Sequence, residues 1–142
     1  MATNGRRTFS ISLVTPEGSV FDDEAVLIIV PGDAGEIGVL ARHAPLIATL
    51  KAGSTRVHVT EGQIQEFATG PGFFKVEQDR AIALVDAAVL ADEIDPDHAQ
   101  EQLEAARAEL EKVERGESAA DRWQLEQRIK HAENQLTVAG RT

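Results

Sequence analysis

Apolar and polar positions alternate in short runs over residues 9–85, and after residue 95 the apolar positions recur every three or four residues instead. Phe9, Ile11 and Leu13 alternate with Ser10, Ser12 and Val14, the two-residue period of a half-buried strand. Thr15-Pro16-Glu17-Gly18 is a turn, because Pro presets φ and Gly tolerates positive φ. Val20 and Phe21 open a second strand that Asp22-Asp23-Glu24 interrupt. Residues 25–30 form a short, nearly continuous apolar run rich in β-branched side chains, which predicts a buried strand. A loop follows at Pro31-Gly32-Asp33-Ala34-Gly35, then two short apolar runs over 37–40 and 46–50. Further strands are predicted over 56–60, 64–69, 73–77 and 81–85, with Gly-, Pro- or charge-rich turns between them. Short strands at this regular spacing predict a sandwich or barrel.

Residues 87–92 read as linker. Asp95-Pro96 then starts a helix, with Asp as the cap, Pro at the first helical position and Asp97 near the positive dipole end. Ala99, Leu103, Ala106, Leu110 and Val113 form its seam, and Gly116 is a natural residue to end it. Ser118 is the expected cap of a second helix, whose seam is Leu125, Ile129, Ala132, Leu136 and Ala139. Two matched seams joined by about four residues predict an antiparallel two-helix hairpin. The chain therefore reads as α+β, mainly β, with a β domain over residues 1–90 and the hairpin over 91–142. Ala or Val occupies five of the ten seam positions. Each buries far less area than Leu, so the hairpin is expected to be weakly held.

Charge narrows the class of partner. The net charge is -10, which repels phosphate backbones and anionic lipid and argues against nucleic acid or a membrane surface. Acidic residues number 11 against 7 basic ones up to Leu90, and 13 against 7 beyond it. The chain has no Cys, which rules out disulfides and thiolate metal sites. No apolar leader opens the sequence and no run reaches spanning length, so a cytosolic location is expected, with any membrane association made through a partner.

Candidate chemistry is sparse. His43, His58, His98 and His131 have no partners at ligand spacing. The glycines of residues 31–38 lack the Gly-Lys-Ser/Thr ending of a phosphate loop. Asp22, Asp23 and Glu24 lack calcium-loop spacing. No catalytic constellation, metal site or cofactor site is expected. The segment without a purely structural account is Gly35-Glu36-Ile37-Gly38-Val39-Leu40-Ala41-Arg42-His43-Ala44-Pro45. It mixes tight-turn glycines with apolar, acidic and His residues in what reads as an exposed loop region, where binding usually sits.

That segment, continued to Leu46, resembles the signature of the epsilon subunit of F-type ATP synthases (delta in mitochondrial naming). The likeness extends through the opening Phe9-x-Ile-x-Leu-Val-Thr-Pro, Val30-Pro31-Gly32, Leu50-Lys51-Ala52-Gly53, Gly70-Pro71-Gly72-Phe73, Ala83-Leu84-Val85-Asp86, Ile94-Asp95 and Ala132-x-x-x-Leu136-x-Val138. The resemblance implies a ten-stranded β-sandwich followed by the hairpin, in the central stalk between the gamma subunit and the c-subunit ring. It implies a non-catalytic rotor part that couples proton-driven ring rotation to ATP synthesis. Its place would be peripheral, on the cytoplasmic face of the bacterial inner membrane, without direct insertion. Glu36, Arg42 and His43 would face the ring on a scaffold set by Gly35, Gly38 and Pro45. In some family members the hairpin extends into the alpha/beta head and inhibits hydrolysis, and in some it binds ATP. Here Ile94, Asp95 and His98 stand in the nucleotide motif with His98 replacing an Arg, and His131 and Gln135 stand where further arginines are expected. Neither His nor Gln reproduces a guanidinium fork, so no nucleotide site is expected. The net acidity of the helical part argues against inhibitory docking as well. The other readings are an ATP-sensing regulator, tested by ATP titration, and a free-standing β-sandwich adaptor, tested by co-purification with gamma.

Overall fold

The computed structural model describes residues 7–140. They fall into two compact units, one ending at Leu90 and the other beginning at Ala91.

The first unit contains ten strands: β1 Phe9–Thr15, β2 Gly18–Ala25, β3 Leu27–Gly32, β4 Gly35–Leu40, β5 Leu46–Leu50, β6 Gly53–Thr60, β7 Gln63–Thr69, β8 Gly72–Glu77, β9 Arg80–Val85 and β10 Ala88–Leu90. They pair in the order β10-β7-β6-β3-β5-β8-β9-β1-β2, with β4 attached to β3. The junction between β3 and β5 is a single register pair, Gly32 opposite Leu50. The sheet turns there from a layer of β10, β7, β6, β3 and β4 to a layer of β5, β8, β9, β1 and β2. Alternate residues of both layers fill the space between them. Ile11, Leu13, Leu50, Phe74, Val76, Ala81 and Ala83 come from one side, and Ile28, Val30, Val39, Val57 and Phe67 from the other. Among the described residues a buried polar pair in this core is satisfied, with the Thr55 and Thr69 hydroxyls 2.9 Å apart.

Three local expectations are corrected. The acidic triplet does not interrupt a strand. β2 runs through Asp22, Asp23 and Glu24 because it lies at the sheet edge, where charges stay wet and discourage pairing with another chain. Ser12 and Thr8 donate hydroxyl hydrogen bonds to Asp22 and Glu24. The apolar run at residues 25–30 is not one strand either: β2 ends at Ala25 and β3 begins at Leu27. The presumed linker contains β10, whose three residues pair with Phe67, Ala68 and Thr69 of β7, followed by a short 3-10 turn, Ala91–Glu93.

The second unit is a pair of packed helices, α1 Pro96–Glu114 and α2 Arg122–Val138. The Asp95 carboxylate caps α1, accepting from the backbone N–H groups of Asp97 and His98 at 3.1 and 3.2 Å. Gly116, at φ 75°, ends it. The cap of α2 is Asp121, which accepts from Trp123 and Gln124 at 2.9 and 3.2 Å, and not Ser118. The Ser118 hydroxyl is instead held inside the link, donating to Glu109 and accepting from the Ala120 N–H. The link is therefore longer than the four residues expected. Ala99, Leu103, Ala132 and Leu136 form the buried seam, with Ile129 partly buried against it, and Ala106 and Leu125 are buried as well. Leu110 and Val113, nearer the link, are only half-buried. The Arg107–Glu133 ion pair, 2.9 Å, crosses between the helices but is exposed and adds little. Leu103→Ala is expected to cost about 2 kcal/mol, the low end for a buried leucine, because a two-helix pair can close partly over the gap. Limited proteolysis should then cut the helical unit faster while sparing the β unit. Unchanged cleavage would reject the seam.

Candidate interaction surfaces

The segment singled out in the sequence is not a single loop. Residues 35–40 are strand β4, paired with β3 from Leu27 opposite Leu40 to Gly32 opposite Gly35. Only Ala41 to Pro45 is irregular. Glu36 sits beside the tight β3–β4 turn, one register pair beyond Gly35, where φ is 137°. Its carboxylate accepts from the Arg56 guanidinium at 2.8 Å, and its side chain is 60% exposed. Arg56 reaches it from β6 across β3: Ile29 pairs with both Arg56 and Gly38, and the absence of a side chain at Gly38 leaves the surface open there.

Arg42 and His43 lie beyond the far end of β4. Glu36 and Leu40 alone are about 13 Å apart at strand rise, so Arg42 and His43 stand at the other end of β4 from Glu36. Residues 36–40 are extended and carry the chain along the length of β3. Arg42 has φ 65°, in the left-handed region. Its backbone N–H donates to the Asp79 carboxylate at 2.6 Å. The His43 ring Nδ1 donates to the Ala44 carbonyl at 2.6 Å. Pro45 then leads into β5.

The outer faces of the two layers carry a signal that the sequence reading missed. On one layer Thr49, Phe73, Leu84 and Val14 are aligned in register across β5, β8, β9 and β1. Phe73 is 62% exposed, Leu84 50%, and Ile47 on the adjoining row 75%. On the other layer Leu40, Leu27, His58 and Ile64 align across β4, β3, β6 and β7, with Leu40 and Ile64 about half exposed. The clue lay in consecutive apolar residues such as Phe73-Phe74 and Ala83-Leu84-Val85. A strand buried on one face only must turn some of these outward.

Ile94, Asp95 and His98, the residues of the degenerate nucleotide motif, lie at the start of α1. Ile94 is buried, the Asp95 carboxylate is used as the helix cap, and His98 is exposed. His131 Nε2 and Gln135 Nε2 lie 2.8 Å apart on α2 and satisfy one another. A nearby groove is lined by Ala105, Ala106, Glu109, Leu125, Arg128 and His131, and its Glu109 carboxylate accepts from the Ser118 hydroxyl. Among the described residues no three His, Asp or Glu side chains converge as a metal site, and no helix is long and apolar enough to cross a membrane.

Comparison with known proteins gives a consistent picture. Residues 8–91 match the family model described as ATP synthase, Delta/Epsilon chain, beta-sandwich domain. The chain is 37% identical over 145 residues to an ATP synthase epsilon chain of Rubrobacter xylanophilus, covering 99% of this chain and 97% of that one. It is 33% identical over 133 residues to an ATP synthase epsilon chain of Synechocystis, covering 94% and 97%. Among solved structures, a chain of the Euglena gracilis mitochondrial ATP synthase superposes with TM-score 0.72 at 24% identity, covering 89% of this chain and 78% of that one. A chain of the Tetrahymena thermophila mitochondrial ATP synthase central stalk and c ring superposes with TM-score 0.59 at 12% identity, covering 94% and 98%. At those identities the superpositions speak for the fold.

Proposed function

The chain belongs to the delta/epsilon family of ATP synthase chains, as a non-catalytic epsilon chain, and we propose that it stands in the central stalk and transmits rotation of the c-subunit ring through gamma to the alpha/beta head. The observation that carries this reading is the outward apolar row of Phe73 and Leu84 with Ile47 beside it. Exposed Phe, Leu and Ile on a rigid sheet are the anchors of a protein interface, and a large partner must cover them. We assign that face to gamma.

The ring contact belongs at the other kind of surface. The β3–β4 turn end presents Glu36 and exposed polar backbone, which suits the polar loops of the c ring. Arg42 and His43, at the opposite end, precede Ile47 by five and four residues, and we place them at the edge of the gamma footprint. This divides the three residues that the family resemblance groups together. Association with the cytoplasmic face of a bacterial inner membrane then runs through the ring and gamma.

The helical unit takes a lesser part in this reading. Its acidic balance opposes docking onto an acidic head surface, and its missing guanidinium groups oppose a nucleotide-sensing role.

Glu36→Lys tests the ring assignment. The pair with Arg56 is exposed, so its loss should change stability by no more than about 1 kcal/mol. ATP-driven proton pumping in reconstituted vesicles should fall about fivefold while the thermal midpoint of the free subunit holds. Wild-type pumping would reject the ring contact at this end.

A further inference from the structure

Asp79 has no part in the surfaces assigned above, yet it is bonded to one of them. It is the second residue of the two-residue turn between β8 and β9. Gln78 and Asp79 have φ 51° and 57°, both left-handed, the geometry that suits a tight hairpin and that Asp tolerates better than most residues. Two bonds leave this turn. The Asp79 carbonyl accepts from the Ser10 N–H at 3.2 Å, which ties the turn to β1. The Asp79 carboxylate accepts from the Arg42 N–H at 2.6 Å, which ties the turn to residues 41–45.

Those five residues cross between the two layers, since β4 pairs with β3 and β5 pairs with β8. Arg42 has a long side chain in a left-handed conformation that such residues rarely adopt unaided. A carboxylate accepting the N–H of that residue favours this backbone shape over extended alternatives, and an ionised acceptor makes the stronger bond. A loop already in its bound shape loses less freedom when a partner docks. We propose that Asp79 is a positioning residue, holding the Arg42–His43 loop in the shape that meets gamma. The inference rests on the gamma assignment made above.

Two substitutions separate positioning from other roles. Asp79→Asn keeps an acceptor oxygen and the left-handed preference but removes the charge. Asp79→Gly suits the turn equally well and removes the acceptor. Affinity of the full chain for the gamma-containing head complex lacking this subunit is the first readout. Asp79→Asn should bind within twofold of wild type, and Asp79→Gly about five- to tenfold more weakly, with both thermal midpoints unchanged. Amide hydrogen exchange at Arg42, the second readout, should accelerate in Asp79→Gly only. Equal weakening by both would make Asp79 a direct charge contact and overturn the inference, as would normal binding or unchanged exchange in Asp79→Gly. Phe73→Glu in the same assay reports on the gamma face alone. If it weakens binding while Asp79→Gly does not, only the positioning role falls. If it binds normally, the gamma face falls, and exchange at Arg42 still decides whether Asp79 holds the loop.

Discussion

Phe74→Ala should destabilise the β unit by about 3–5 kcal/mol, the range for truncating a buried aromatic ring. Phe74 has no exposed surface. Its direct register partners are Ala48 on β5 and Ala83 on β9. The ring fills the space that these two small residues leave, and neither can grow to close the void. The loss should appear as a lower urea midpoint with an unchanged slope. Far-UV circular dichroism is the right probe, because the single tryptophan, Trp123, lies on α2 and reports on the other unit. A drop below about 1 kcal/mol would mean that this core is not packed around Phe74.

Phe73→Glu, one residue earlier, should have the opposite profile. The side chain points outward, so stability should move by no more than about 0.5 kcal/mol. Affinity for gamma should fall about a hundredfold or more. The substitution removes a central apolar anchor and leaves a carboxylate to be buried without a partner when the face is covered. Binding of the variant to the head complex, measured by titration, gives the result directly. Wild-type affinity would remove gamma from this face. Adjacent phenylalanines with separable effects are a consequence of the two-residue period: one side chain serves the fold and the next the interface.

The alternation that distinguishes these two residues also explains how much of the protein was legible beforehand. β1 and β6 to β9 could be read because their buried side chains recur every second residue between Gly- and Pro-rich turns. The hairpin could be read because Leu103 and Leu136 sit in matched seams. Asp95 followed by Pro96 marked a helix start by local chemistry alone. The misread elements depend on neighbours distant in sequence. β2 tolerates Asp22, Asp23 and Glu24 because no strand covers its outer edge. β10 is three residues held by pairing with β7, too short for a period of its own. Ser118 and Asp121 are both competent caps, and the choice between them falls to Glu109, which engages the Ser118 hydroxyl. The candidate site was half legible: its glycines and His43 drew notice, but only the pairing of β4 with β3 separates Glu36 from Arg42. Asp79 carried no local signal, because its partner lies 37 positions earlier.

The parallel pairing of β1 with β9 bears on the order in which the chain acquires its structure. Ser10 lies opposite Arg80, 70 positions later. During synthesis β1 emerges first and can form a hairpin with β2 at once, but its other edge has no partner until nearly the whole β unit has left the ribosome. In that interval Phe9, Ile11 and Leu13 face water beside an open strand edge, the combination that invites association with other nascent chains. Closure waits on a long loop, which makes folding slow for a unit of this size. The acidic side chains of β2 then act before the native state exists: they protect the free margin of a half-made sheet while it waits for the strand that completes it.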